Sequence, residues 1–497
     1  MSSPAARSPR VRRPSPARSG GHRPSPNRPA RAPKAPPARP RNVLDDLPIQ
    51  IVATDNLPSF TELGLPDGLA DALTRRGLLT PFPIQAATIP DALAGRDVLG
   101  RAATGAGKTL AFGLPLIARL EGRGGVQKRP RALVLVPTRE LAMQVVDSLE
   151  PLAHARNLRV RLVAGGLPIG KQVQEMAQGV DILVATPGRL IDLLDRGAVA
   201  LDKVEIAVLD EADHMADLGF LPVVRRLLDL TPVGGQRLLF SATLDGDVAT
   251  LVEHYLTDPV AHALASAEAA VDTMSHHVFR VEREDKPRVV TEIAARDGRT
   301  ILFVRTKHGA DRLAKVLARS GVAAGTLHGG RTQSQRTKAL DSFKAGRTSV
   351  LVATDVAARG IHVDGIDLVV HVDPPADGKD YLHRSGRTAR AGASGTVVSL
   401  ILPDEARDHE KMLRSAAVAT KVVDARPGDA AVARITGARA PSGVPIVEPK
   451  PAPARPQRAR REPTRTLGAA ARSSSARSTR PRRASGGPSG KAPHAHA

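Results

Sequence analysis

The sequence predicts an α/β protein: two tandem domains built on parallel sheets and flanked by disordered basic tails. Three observations predict it. Short apolar strands alternate with helical patterns in two separate series, the rhythm of parallel sheets covered on both faces. A stretch of small and polar residues, 261–276, separates the two series. Charge is segregated: residues 1–44 carry ten Arg, one Lys and no acid, and residues 449–497 carry twelve Lys or Arg against the single Glu462. Each stretch therefore contributes half of the net +22, and the middle is formally neutral.

The chain has 497 residues, a length suited to two or three domains. The first stretch, 1–44, is rich in Pro, Ser, Ala and Arg and nearly free of large apolar residues. It cannot bury enough surface to offset chain entropy, and it reads as a solvated tail. An organellar transit peptide is the alternative, disfavoured by its prolines and by the matching composition of the carboxyl end. Basic arms of this kind attract polyanions, most often nucleic acid. There are no cysteines, which excludes a disulfide framework and Cys-based metal sites and fits a reducing compartment. No apolar run approaches the ~20 residues of a membrane helix, and no apolar signal segment is evident. A cytoplasmic protein with no membrane partner is the expectation. The Ala/Arg/Gly/Pro bias is that of a GC-rich genome, and a bacterial source is expected.

In the first domain, placed at 45–265, the strand candidates are 97–100, 132–137, 161–166, 181–187, 206–210 and 237–243, with helical patterns such as 139–155 between them. A linker is expected at 266–276. The second domain, placed at 277–425, offers strands at 300–306, 322–329, 349–355, 367–373 and 395–401. The remainder, 426–497, reads as a second basic tail. Ligands of such sheets bind beyond the carboxyl ends of the strands, and the unusual clusters of this sequence fall there.

After the first of these strands comes AATGAGKT, 102–109. A glycine-rich turn between strand and helix aims backbone N–H groups at phosphates, so Thr104, Gly105, Ala106 and Gly107 are candidate phosphate contacts. Lys108 would pair with the β and γ phosphates of a nucleotide, and Thr109 would ligate Mg²⁺. Ala102 stands where the strict pattern has glycine. The later strand at 206–210 ends in Asp210-Glu211-Ala212-Asp213. Alone, this acidic cluster could be a solvated turn. Beside a phosphate loop, Asp210 is the second metal-side acid and Glu211 the base for the attacking water. The second domain supplies Arg384, Arg387 and Arg390. Arg387 and Arg390 are the candidates for an arginine finger, which would make hydrolysis depend on closure of a cleft between the domains.

In order along residues 58–405, Phe60, the stretch 77–85, AATGAGKT, PTRELA (137–142), Gly165-Gly166, TPGR (186–189), DEAD (210–213) and SAT (241–243) are followed by LFVRT (302–306), HGGRTQSQR (328–336), ATDVAARG (353–360) and HRSGRTAR (383–390). The set resembles the DEAD-box RNA helicases. The resemblance implies two RecA-like domains, ATP and Mg²⁺ in the cleft, and single-stranded RNA held by its backbone across both domains. It implies that Gln85 reads adenine. Pro137, Thr138, Arg139, Gly165, Gly166, Thr186 and Arg189 would touch RNA from the first domain, and Arg305, Gln333, Arg336 and Thr354 from the second. Ser241 and Thr243 would couple the acidic site to the RNA face through Asp213.

Four places depart from the family pattern: Leu78 replaces an aromatic, Phe82 a small polar residue, His362 an aspartate, and Ser385 with Ala389 an Ile and a Gly. None removes a catalytic charge. The reading is an RNA-stimulated ATP hydrolase that opens short RNA duplexes, expected to act as a monomer, with ribosome assembly and RNA decay among the settings. An RNA-binding or condensate-forming protein and a DNA translocase are the competing classes. The intact set of Lys108, Asp210, Glu211, Arg387 and Arg390 disfavours the first, and the family forms disfavour the second by resemblance alone.

Overall fold

The computed structural model describes residues 48–52, 56–102, 105–120, 124–244, 246–264, 274–358, 363, 365–389 and 394–446. The expected tail 1–44 lies outside them, as do Thr104, His362 and Arg390. The first sheet contains β1 (Ile49–Val52), β2 (Val98–Arg101), β3 (Ala132–Leu135), β4 (Val160–Val163), β5 (Ile182–Ala185), β6 (Ile206–Asp210), β7 (Gln236–Ser241) and β8 (Val260–Leu264). Its order is β1-β8-β2-β7-β6-β3-β5-β4, with every pairing parallel. β3, β5, β6 and β7 are buried along their whole length, which is why β3 and β5 read as continuous apolar runs and the apolar residues of β6 and β7 do not alternate with polar ones. Helices cover both faces and enclose one core around Phe112 and Phe240 and another around Leu133, Leu183 and Leu239.

The second sheet is also parallel: β9 (Met274–Arg280), β10 (Arg299–Phe303), β11 (Ala324–Leu327), β12 (Val350–Ala353), β13 (Ile366–His371), β14 (Gly395–Ile401) and β15 (Val422–Asp424), in the order β11-β12-β10-β13-β14-β9-β15. The fold class expected from the sequence is the one found.

Two expectations need correction. The stretch 261–276 is not free of strand: it begins inside β8 and ends in the first three residues of β9. Val-Ala-His-Ala-Leu of β8 lies between β1 and β2, where alanine is as buried as a larger residue and no alternation is needed. The second domain also does not stop at 425. A helix at Ala430–Thr436 buries Val432 against the core that holds Phe279 and Val290. Beyond it, Gly443 N and Ile446 N donate to Ser320 O and Ala318 O at the end of the 307–319 helix.

Candidate active site

The crossovers place the carboxyl ends of β2, β6 and β7 side by side. After β2, Gly105 (φ +93) and Gly107 (φ +87) turn the chain into the helix Lys108–Leu120, conformations that glycine adopts without a Cβ penalty. Lys108 is buried, and its Nζ donates to Ala102 O at 3.0 Å. After β6, the chain turns through Glu211 in the left-handed region, φ 53 and ψ 53. Its N–H donates to Asp210 Oδ1 at 3.0 Å. Gly105, Gly107, Lys108, Thr109, Asp210 and Glu211 line a cavity of about 140 Å³.

The three carboxylates of the acidic cluster are buried but differ electrostatically. Burial pushes Asp210 up to about 7 against the pull of Lys108. Burial would raise Glu211 too, but a hydrogen bond and charge from His214, with Lys108 and Arg387, hold it below the usual carboxylate range. His214 Nδ1 lies 3.3 Å from Glu211 Oε2. Asp213 is held low against its own burial by His383, Lys108 and Thr243. Its N–H donates to Ser241 Oγ at 3.2 Å, and Oδ2 accepts from Thr243 N and Oγ1 at 3.0 and 3.1 Å.

The second domain closes on this cluster. His383 Nε2 stands 3.7 Å from Asp213 Oδ2. Arg387, buried, lines with Lys108, Glu211, Asp213, His214 and His383 a small cavity of about 10 Å³. Arg384 has a different position: it pairs with Asp355 through two bonds of 2.5 and 2.8 Å, donates to Asp373 O and lies over the Phe303 ring. It anchors the helix Gly378–Ser385. Gln85 is buried, accepting from Phe82 N at 2.9 Å and donating to Gly107 O at 2.9 Å.

A second cavity, about 380 Å³, is lined by Pro137, Arg139, Gly165, Thr186, Arg189 and Phe220, among others. Thr138 caps the helix Arg139–His154, with Leu141 N donating to its hydroxyl. Arg139 donates to Gln333 Oε1, Gln333 Nε2 donates to Glu140 Oε1 at 3.3 Å, and Arg336 pairs with Glu140 at 3.1 Å. Candidates from both domains thus meet through Glu140. Arg189 donates to Leu167 O, Arg305 N donates to Asp373 Oδ2, and Thr354 sits at the end of β12. Gly166 takes φ +74 beside the Arg139 guanidinium. Sequence reasoning missed His214, Glu140, His383 and Phe220. The first three adjoin or lie within motifs that were read, but the contact of His214 depends on side-chain geometry, and those of Glu140 and His383 on partners far along the chain.

Strand, glycine turn and helix, with acidic residues at the end of another strand of the same sheet and an arginine from a second parallel-sheet domain, define a two-domain P-loop α/β protein. Residues 82–251 match the DEAD/DEAH box helicase family and residues 285–392 the helicase conserved C-terminal domain. The chain is 41% identical over 355 residues to the ATP-dependent RNA helicase RhlB of Pseudomonas syringae pv. tomato, covering 70% of this chain and 89% of that one. It is 41% identical over 352 residues to the ATP-dependent RNA helicase DBP2 of Meyerozyma guilliermondii, covering 69% of this chain and 64% of the relative. It spans 62% and 66% of two further fungal DBP2 proteins. Among solved structures, S. cerevisiae Dbp5 bound to RNA and ADP BeF3 aligns with TM-score 0.67 and 28% identity, over 76% of this chain and 99% of that one. Mss116 bound to ssRNA and UDP-BeF aligns with TM-score 0.66 and 26% identity, over 78% and 83%. The chain belongs to the DEAD-box RNA helicase family.

Proposed function

We propose that the chain is an ATP-dependent RNA helicase, coupling RNA-stimulated ATP hydrolysis to local opening of RNA duplexes and RNA–protein complexes. One observation carries the reading: Lys108 and Glu211 of the first domain and Arg387 of the second line one cavity. Thr104, Gly105, Ala106, Gly107 and Lys108 hold the phosphates of ATP in this reading. Glu211, kept ionised by His214 and Lys108, orients the attacking water and accepts its proton in this reading. Arg387 and Arg390 supply positive charge to the transferring phosphate. The donor chemistry fits Mg²⁺: a buried carboxylate that is costly to ionise alone, Asp210, and the hydroxyl of Thr109 border the same cavity. These two residues would hold the ion, which supplies charge neutralisation for the phosphates.

RNA lies, in this reading, over Pro137, Thr138, Arg139, Gly165, Gly166, Thr186 and Arg189, and over Arg305, Gln333, Arg336 and Thr354. Several are small or neutral, as backbone contact requires. Ser241 and Thr243 relay its arrival to the acidic site through Asp213. The reading extends to a bacterial, cytoplasmic, monomeric protein of ribosome assembly or RNA decay. Its support is the Ala/Arg/Gly/Pro bias, the lack of cysteine and the basic ends of the chain. Glu211→Gln tests the chemistry. Equilibrium binding of ATP and RNA should persist while steady-state turnover falls by two orders of magnitude or more. Turnover within a few-fold of wild type would refute the assignment of the base.

A further inference from the structure

Phe82 breaks a local rule without a structural return. It occupies the N-cap of the helix Pro83–Leu93, where Ser, Thr, Asp or Asn would cap, and its side chain makes no cap bond. Nor is it a core residue. Of the eight phenylalanines, six are buried, Phe220 is half-buried, and only Phe82 is exposed, at 43%. Departures of this kind collect at functional positions.

The ring lies against the phosphate loop. A Cβ placed on Gly107 would sit 2.6 Å from Phe82 Cδ2 and 2.5 Å from Gln85 Nε2. Gly107 therefore admits both side chains to the loop by having none itself. Leu78, half-buried, packs against the first core. Gln85 is 1% exposed, with its amide oxygen on Phe82 N and its amide nitrogen on Gly107 O. It presents almost no surface to the edge of a base. An exposed aromatic face beside the loop offers what a nucleobase can use whatever its edge pattern, because every base has a π face.

We infer that Phe82 is the platform against which the nucleobase of the bound nucleotide stacks, so that selection among bases in this chain rests on stacking more than on hydrogen bonds. The inference rests on the proposed nucleotide site. Phe82 is thus a binding residue and not a catalytic one.

The test compares wild type, Phe82→Ala and Phe82→Trp, full length, with ATP, GTP and ribose 5-triphosphate, each with Mg²⁺. Calorimetry should show Phe82→Ala binding ATP and GTP about tenfold or more weakly than wild type, the scale of a lost base–aromatic stack. Ribose 5-triphosphate should bind the two proteins equally. The chain has no Trp, so Phe82→Trp introduces a single tryptophan, at the site, whose emission can be excited apart from that of the two tyrosines. Its emission should change on adding ATP and stay constant with ribose 5-triphosphate. Unchanged ATP affinity in Phe82→Ala, or an equal loss for the ligand without a base, would overturn the stacking role. A preference of wild type for ATP over GTP beyond a hundredfold, kept in Phe82→Ala, would return base selection to hydrogen bonds. Wild type that binds none of the three ligands would remove the nucleotide site itself, and the inference with it.

Discussion

Glu211 shows how a single residue is set for its proposed task. Its left-handed backbone is uncommon for a residue with a Cβ and carries strain of ~1–2 kcal/mol. The turn lifts its carboxylate toward His214 and Lys108 while its own N–H fixes Asp210. Gly166 shows the opposite economy. Its φ of +74 suits glycine, and a Cβ there would lie 2.5 Å from both terminal nitrogens of Arg139. Gly166→Ala should lower stability by about 1 kcal/mol or more and weaken nucleotide-free RNA binding several-fold. Gly165→Ala, with nothing within 4 Å and no positive φ, should change stability little. Thermal unfolding and an RNA titration of the two variants check this. At this scale Lys108, Asp210 and Glu211 were legible, because phosphate chemistry demands those groups at strand ends. The grip of His214 on Glu211 and the bridge made by Glu140 were not, because each depends on side-chain geometry or a partner far along the chain.

In the second domain, His276 of β9, His371 of β13 and His409 of the helix Ala406–Ser415 form a group of neutral histidines, the last two buried and the first partly so. His276 Nδ1 meets Tyr381 Oη at 2.7 Å, His371 Nδ1 meets Ser399 Oγ at 3.1 Å, and the His371 and Tyr381 rings meet edge to face. Burial lowers His276 and His409 to about 4, and burial with Arg384, His409 and His276 holds His371 well below its ordinary range. The sign follows from linkage. The unfolded chain binds the protons of His276 and His409 near pH 6.5 and the folded one only near 4, so stability is full above about 6.5 and drains away as pH falls toward 4, with His371 acting in the same direction. His276 and His409 each contribute at most about 2 kcal/mol of loss at pH 5. His409→Leu should therefore flatten the fall in unfolding free energy between pH 7 and 5. An unaltered slope would show that His409 does not titrate in this way. The interior strands made of Val, Ile and Leu were legible in the sequence. β1, β8, β9, the short exposed β15 and the helix Ala430–Thr436 were not: small or polar residues, edge positions and a single buried Val432 leave weak periodic signals.

For the whole molecule, the division of labour is between neutral folded domains and basic ends. Removing 1–44 and 449–497 takes away all of the +22 net charge and no motif residue. The logarithm of single-strand affinity falls with the logarithm of salt at about −0.7 per phosphate neutralised. The full chain should thus show a steeper salt slope for RNA than the trimmed chain and tighter binding at low salt, with similar ATP turnover at saturating RNA. Equal slopes would make the ends mere solubility arms. The two domains themselves touch through charge: Lys379 with Asp217 at 2.9 Å, Arg336 with Glu140, and His383 near Asp213. In the proposed cycle these contacts let RNA on one face set the geometry of the cavity on the other.

The shared cavity is the central claim, and Arg387→Ala in the full-length protein tests it most directly. Steady-state ATP hydrolysis at saturating RNA, with ATP and RNA affinities measured alongside, is the readout. The account predicts a fall of ~10³-fold or more in turnover with both ligands still bound, because the second domain would no longer place charge on the transferring phosphate. Turnover within a few-fold of wild type would contradict it, and would leave the meeting of the two domains over Glu211 without a catalytic role.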